Sequence, residues 1–286
     1  MATVRAGQPT TPHSRRAHET DIEAILAQRR HQGADWWTTP DGRLLKGSPF
    51  NTLECINYLL ELGVDPLGAE LAGAVDLVLA TWQDDGRFRL YPTGAILPCQ
   101  TALAARTLCR AGLADDERIG ITLAQLLGSM WQDSGWRCNK FSYGRGPETQ
   151  HANPHPTLQA LDAFRFTDQV NRNPALDRAV EFLLEHWRTR EPLGPCHYGI
   201  GTQFLQVEYP FRSYNLFYWV YVLSFYDAAR QDPRFREALQ VLQAGVIDGR
   251  IVVERVVPKL AGLGFCRKGR PSELATRRYR EILSRT

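Results

Sequence analysis

The chain has 286 residues, 43% of them hydrophobic, with six cysteines and a formal net charge of +3. That length is enough for one large domain or two small ones with a substantial core. Six scattered cysteines argue against a dense secreted disulfide framework and for a reducing cytoplasm, and so small a net charge gives no argument for a nucleic-acid partner.

No run reaches the roughly 18 apolar residues that cross a bilayer, and no apolar segment follows the charge of Met1–Arg5, so neither a transmembrane segment nor a signal peptide is expected. Residues 1–19 are small and polar, with Pro9, Pro12 and Arg15-Arg16, and are expected to be a disordered basic lead-in to one domain over 20–286. Thr20-Asp21 is placed to cap a helix over Ile22–Arg30. Trp36-Trp37 and Pro40-Asp41-Gly42 then read as loop and turn.

From residue 51 a two-helix unit repeats. Asn51-Thr52 opens a first helix that stops at Gly63, and Asp65-Pro66 caps a second that runs to Trp82 and the turn Asp85-Gly86. The next unit starts near Thr101, stops at Gly112 and recaps at Asp115-Asp116. A third starts at Pro156-Thr157 and recaps at Asn173-Pro174, and a fourth starts at Ser213-Tyr214-Asn215 and recaps at Asp232-Pro233. A last helix opens at Ser272. The caps Asp65, Asp115, Asn173 and Asp232 step by 50, 58 and 59 residues, and the starts Thr52, Thr101, Thr157 and Tyr214 step by 49, 56 and 57. Two markers that move together specify a repeat.

The first helix of a pair is apolar all round, as in Leu216–Leu223, and the second is amphipathic, as in Asp177–Glu185. An inner set of buried helices ringed by an outer set is the expected solution. The turn Trp131-Gln132-Asp133-Ser134-Gly135-Trp136, with a copy at Trp82–Phe88 and a weaker one at Ile247–Ile251, resembles the Gln-x-Asp-Gly-Gly-Trp-like turn of the α/α toroid of terpenoid cyclases and protein prenyltransferases. That resemblance covers about residue 50 to 286 and implies an all-α toroid of about four to five helix pairs. It also implies an enzyme acting on an apolar, isoprenoid-like small molecule in a central cavity. The Asp-x-Asp-Asp acid of the proton-initiated cyclases does not occur here.

The candidate chemistry lies near the inner-helix starts. Cys99 and His155 each precede a helix-start threonine by two residues, and Cys138 and Cys196-His197 sit 17 to 19 residues ahead of Thr157 and Tyr214. Thiolates and an imidazole are the preferred ligands of zinc, which makes Cys138, Cys196 and His197 a candidate metal set with Cys99 and His155 nearby. Cys138 and Cys196-His197 are also similar to the zinc ligands of lanthionine-forming cyclases, although Arg137 and Tyr198 interrupt the family's spacing. Arg137-Cys138-Asn139-Lys140 is similar to a diphosphate-binding segment of farnesyltransferase β subunits, without the Asp-x-Cys that follows it there.

Trp136, Arg137, Lys140 and Arg212 are therefore candidates to hold an anionic head group. Glu208, Tyr214, Asn215 and Tyr218 are candidates to orient a ligand among the aromatic residues of the fourth unit. The alternatives are a non-catalytic toroid that binds a peptide or protein partner, and a zinc-thiolate cyclase or lyase. The basic stretch 267–286 reads either as an anion-binding face or as a solvated last helix.

Overall fold

The structure is a computed structural model that describes residues 15–138 and 146–286. The described residues are mostly helical, with one two-stranded antiparallel ribbon, β1 (Val246–Ile247) and β2 (Arg250–Ile251). None of their helices is long and apolar enough to cross a membrane. The chain divides into two compact units, one up to Leu126 and one from Leu127.

The first unit holds α1 (Glu19–Leu26), α2 (Thr52–Glu61), α3 (Ala72–Leu79) and α4 (Pro98–Leu108), followed by α5 (Glu117–Gly128), which runs to the boundary. α2 packs on α1, α3 and α4. Asn51 caps α2 through the Glu54 N–H, and Asp116 accepts from the Arg118 N–H (2.9 Å) at the start of α5, as the sequence predicts. Asp65 departs from that pattern. It accepts from the Leu67 N–H (2.9 Å) in a turn of its own, and α3 starts only at Ala72. α1 likewise starts at Glu19 with no side-chain cap and ends at Leu26. Residues 1–14 of the expected lead-in lie outside the described residues, but Arg15 donates to Glu70 (2.6 Å), so the end of that stretch is tied down.

The second unit holds α6 (Pro154–Phe164), α7 (Pro174–Thr189), the short α8 (Thr202–Leu205), α9 (Leu216–Leu223), the short α10 (Asp227–Arg230), α11 (Pro233–Ala244) and α12 (Glu273–Leu283). α6 packs on α7 and α9, and α9 packs on α11 and α12. Every residue of α9 is buried, as is every residue of α6 except His155, whereas α7 and α11 bury one side only. That is the alternation of buried and half-exposed helices that the sequence requires.

The repeat is also visible in hydrogen bonds. After three of the Asp-Gly or Ser-Gly turns, one backbone N–H donates to a threonine hydroxyl at the fourth position of a following helix. Phe88 donates to Thr101 of α4 (3.3 Å), Trp136 to Thr157 of α6 (2.9 Å) and Ile251 to Thr276 of α12 (3.0 Å). Thr157 and Thr276 donate in turn to the carbonyls of Asn153 (2.8 Å) and Ser272 (2.7 Å). Each hydroxyl thus sews a turn to the helix that follows it. Thr157→Val keeps the shape of the side chain and leaves the buried Trp136 N–H without its acceptor. It is expected to lower the unfolding free energy by about 1–3 kcal/mol in denaturant titration.

A thiol pair at the start of α6

The functional residues that the second unit brings together meet around Asn153, the residue before α6. Asn51, Asn173, Asn215, Asp232 and Ser272 all turn a side-chain oxygen onto the backbone N–H groups of the helix they precede. Asn153 makes no such cap. Its Oδ1 accepts instead from the backbone N–H of Cys138 (2.7 Å), while its own N–H donates to the Trp136 carbonyl (2.9 Å). An asparagine in a capping position has given up the cap to hold a cysteine.

A hairpin between α7 and α8 delivers the second thiol. Leu193 and Tyr198 exchange backbone hydrogen bonds (both 3.0 Å), and His197 sits in the left-handed region at φ 51°. Gly194, at φ 76°, is needed for this approach. A Cβ there would lie 2.6 Å from Asn153 Nδ2 and 2.7 Å from the Ala152 carbonyl oxygen, the second of which is backbone and cannot yield. The hairpin brings the exposed Cys196 up to the half-buried Cys138, close enough for one thiol to act on the other.

The neighbouring Cys138, together with burial, pushes Cys196 far above the ordinary thiol range. The Asn153 amide acts on the same sulfur in the opposite sense. Asn153 is fully buried, with its side-chain amide directed at Cys196. Cys196 therefore holds its proton the more tightly for having Cys138 beside it.

Next to the thiols is an aromatic cage around His155, the second residue of α6. Its Nδ1 lies 3.4 Å from the Tyr198 hydroxyl, and Tyr198, Tyr214 and Tyr218 surround the ring at centroid distances of 5.5, 6.3 and 6.5 Å. Behind Tyr214 lies His186, fully buried on α7. The Tyr214 hydroxyl and His186 Nδ1 are 2.8 Å apart, and His186 Nε2 is 3.0 Å from the Glu191 carbonyl oxygen. A carbonyl only accepts, so Nε2 carries the hydrogen and the tyrosine donates to Nδ1. Burial lowers the His186 pKa to about 4, so the ring is neutral at ordinary pH. Beside His197 opens a groove of about 540 Å³, apolar at Pro192, Ile200 and Phe204 and polar at Arg190, Thr202 and Gln203.

Not every expected site residue joins this cluster. His197 faces Glu148, at 3.8 Å, rather than the thiols, and among the described residues no group of three or more His, Cys, Asp or Glu side chains is arranged to hold a metal. Cys99 is the second residue of α4, half-buried, in the register that His155 has on α6, but it belongs to the first unit.

Trp136 is fully buried and stacks on Phe164 (6.2 Å). Arg137 is 6% exposed, donates to the Thr149 carbonyl (2.9 Å) and lies over Trp131, at 4.3 Å from the ring. Both have structural work of their own. Lys140 lies outside the described residues, so the expected anion-binding set of Trp136, Arg137, Lys140 and Arg212 is not assembled among them. Glu208 is buried and paired with Arg255, and Asn215 caps α9 through the Tyr218 N–H (3.0 Å). Tyr218 donates to Asp162 (2.9 Å). The aromatic residues of the fourth unit fill their own space: Phe211 packs on Phe217, Tyr218 and Tyr221 at 4.9 to 5.2 Å.

Sequence reasoning missed Asn153, His186 and Tyr198. Asn153-Pro154 repeats the Asn-Pro form of Asn173-Pro174 and marks the true start of α6, two residues ahead of the predicted one. His186 and Tyr198 leave no comparable mark. No family model matches the chain, and no curated protein matches it.

Proposed function

We propose that the chain is a thiol-dependent enzyme on a prenyltransferase- and terpene-cyclase-like α/α toroid, acting on an isoprenoid or another mostly apolar small molecule. The toroid is supported by the alternation of buried and half-exposed helices and by the turn-to-threonine bonds at Thr101, Thr157 and Thr276. The observation that carries the chemistry is that Cys138, held by Asn153, and Cys196, on the hairpin seated against Asn153, are brought together.

Cys138 is the nucleophile and Cys196 its proton partner. The Cys138 sulfur adds to a polarised C=C or C=O carbon, a C–S bond forms, and the displaced π pair takes the proton from Cys196. With a C=C, rotation about the carbon–carbon bond, now single, followed by the reverse step releases the geometric isomer and returns both thiols to their resting state. His155, between Tyr198 and Tyr218, lines the approach, and the groove at Ile200 and Phe204, with Arg190 and Gln203 on its polar side, lies beside the same hairpin. Proton-initiated cyclisation has no support in this unit, because Asp162 is buried and paired with Arg165.

The test is to incubate the protein with conjugated isoprenoid aldehydes, ketones and acids, following substrate conversion by chromatography and adducts by mass spectrometry. One class is expected to be consumed, with an adduct on Cys138. Cys138→Ser should abolish consumption, and Cys196→Ser should slow it by about 10²-fold. If no class is consumed and Cys138 carries no adduct, the reading fails. A second reading, a non-catalytic repeat that binds a peptide or protein, is favoured by the packing of Phe211, Phe217, Tyr218 and Tyr221 on one another. It predicts that second outcome.

A further inference from the structure

The same two thiols have a property that does not depend on catalysis. They come from segments 58 residues apart, and each segment is anchored independently of the other thiol. Cys138 is anchored by its N–H on Asn153 Oδ1 (2.7 Å). The hairpin carrying Cys196 is anchored by the Gly194 N–H on the Glu148 carbonyl (2.9 Å) and by the close seat of Gly194 on Ala152 and Asn153. Neither sulfur is sealed off, since Cys138 is half-buried and Cys196 exposed, whereas Cys55, Cys109 and Cys266 are buried. The buried side-chain amide of Asn153 lies at this pair and favours the charged form of Cys196. A donor held in this way is placed to accept the negative charge of a sulfur that leaves.

We propose that Cys138 and Cys196 are a redox-active dithiol, which low-molecular-weight disulfides convert reversibly into an intramolecular disulfide. The Cys138 thiolate attacks one sulfur of oxidised glutathione, forming a mixed disulfide and releasing one glutathione thiolate. Cys196 loses its proton and attacks the Cys138 sulfur, and the second glutathione leaves as a thiolate that takes up that proton. Two protein thiols are oxidised and one glutathione disulfide is reduced to two thiols. Reduction runs the same steps backwards, with the Asn153 amide facing Cys196 as it regains its negative charge. The oxidised state blocks the nucleophile of the proposed reaction, so the site works only when reduced. That consequence rests on the catalytic reading, but the disulfide itself does not.

The experiment is to equilibrate the full chain in glutathione buffers of increasing oxidised fraction, quench it with acid, alkylate it under denaturing conditions with iodoacetamide and map the peptides by mass. The expected result is loss of two of the six alkylatable thiols, recovered as one Cys138–Cys196 crosslinked peptide and restored by reduced glutathione. Cys196→Ser should instead stop at the glutathione adduct of Cys138. Six alkylated thiols in the most oxidising buffer would overturn the proposal, as would a stable glutathione adduct on Cys138 in the wild-type chain or a crosslink between other cysteines. If the crosslink forms in a protein that consumes no substrate, the redox proposal stands and the catalytic one falls. If substrate is consumed and no crosslink forms, the reverse holds.

Discussion

Replacing Arg165 with leucine is expected to lower the unfolding free energy by about 3–5 kcal/mol, the largest stability loss of any substitution considered. Asp162 is 1% exposed and Arg165 8%, and they are paired at the C-terminal end of α6. The arginine also lies over the rings of Phe166 at 4.0 Å and Phe225 at 4.5 Å. Removing it strands a carboxylate in the core, and the cost of burying an uncompensated charge exceeds anything the pair contributes when intact. The consequence reaches the site. The Tyr218 hydroxyl on Asp162 and the Tyr226 hydroxyl on the Leu161 carbonyl (2.6 Å) fix the far end of the helix whose near end carries Asn153 and His155.

Asp162→Leu and Tyr218→Phe added to Arg165→Leu remove the stranded charge and its donor together, and this triple variant should recover most of the loss. Denaturant unfolding of the single and triple variants checks both expectations. A loss below about 1 kcal/mol in the single variant would show that the pair is solvated in the protein.

The second large effect is set by pH. His186 is neutral in the folded chain down to about pH 4, because burial disfavours its charged form. In the unfolded chain it takes up a proton at about 6.5. Between these values the unfolded state binds more protons, so stability is fully present above about pH 6.5 and falls as pH drops towards 4. Below about 4 this contribution levels off, because both states are then protonated. The span of the fall is about 3 kcal/mol.

His186→Gln can still donate to the Glu191 carbonyl and accept from Tyr214, and it has no titration. Its stability should therefore be flat across the window where the wild type declines. Unfolding free energies at about pH 7 and about pH 4.5 for the two proteins measure the difference. Parallel declines would mean that His186 is hydrated in the folded state. Asp35, Asp85, Asp116, Glu185 and Asp232, all held below the usual carboxylate range chiefly by side-chain bonds to Arg29, Arg87, Arg118, Arg188 and Arg234, begin to lose their contribution only at the lower end of this window, and equally in both proteins.

Much of this architecture is legible in the sequence because its signals are local. Asn173, Asp232 and Ser272 cap the helices they precede. The repeating turn places Thr101 and Thr157 where the hydrogen bonds place them, although the helices begin three residues earlier, at Pro98 and Pro154, where a proline's missing N–H costs nothing. Where local chemistry offers two solutions, the sequence alone does not choose. Asp65 precedes Pro66 as Asp232 precedes Pro233, yet it closes a turn rather than a helix.

The site was legible in part. Cys138, Cys196 and His155 stand out by type and spacing, and all three belong to the cluster. What they touch is a tertiary matter: Cys138 meets an asparagine that should have been a cap, and His197 turns to Glu148. Arg137 and Glu208 look like ligand-binding groups in a sequence because charges are conspicuous there. Their partners, Thr149 and Arg255, lie 12 and 47 residues away and bear no mark of the pairing. The aromatic run of the fourth unit is ambiguous for a related reason, since rings that could line a cavity are the same rings that fill one.

The central claim is that the two thiols form one unit with unequal partners. It is tested most directly by the rate at which iodoacetamide labels Cys138 and Cys196 in the native protein at about pH 7, resolved by peptide mass, beside an Asn153→Ala variant. The account predicts that Cys138 reacts first although it is the less exposed of the two, that Cys196 lags because it keeps its proton, and that the difference shrinks when Asn153 no longer holds Cys138 in place. Labelling in order of exposure, Cys196 ahead of Cys138 and indifferent to Asn153, would contradict it.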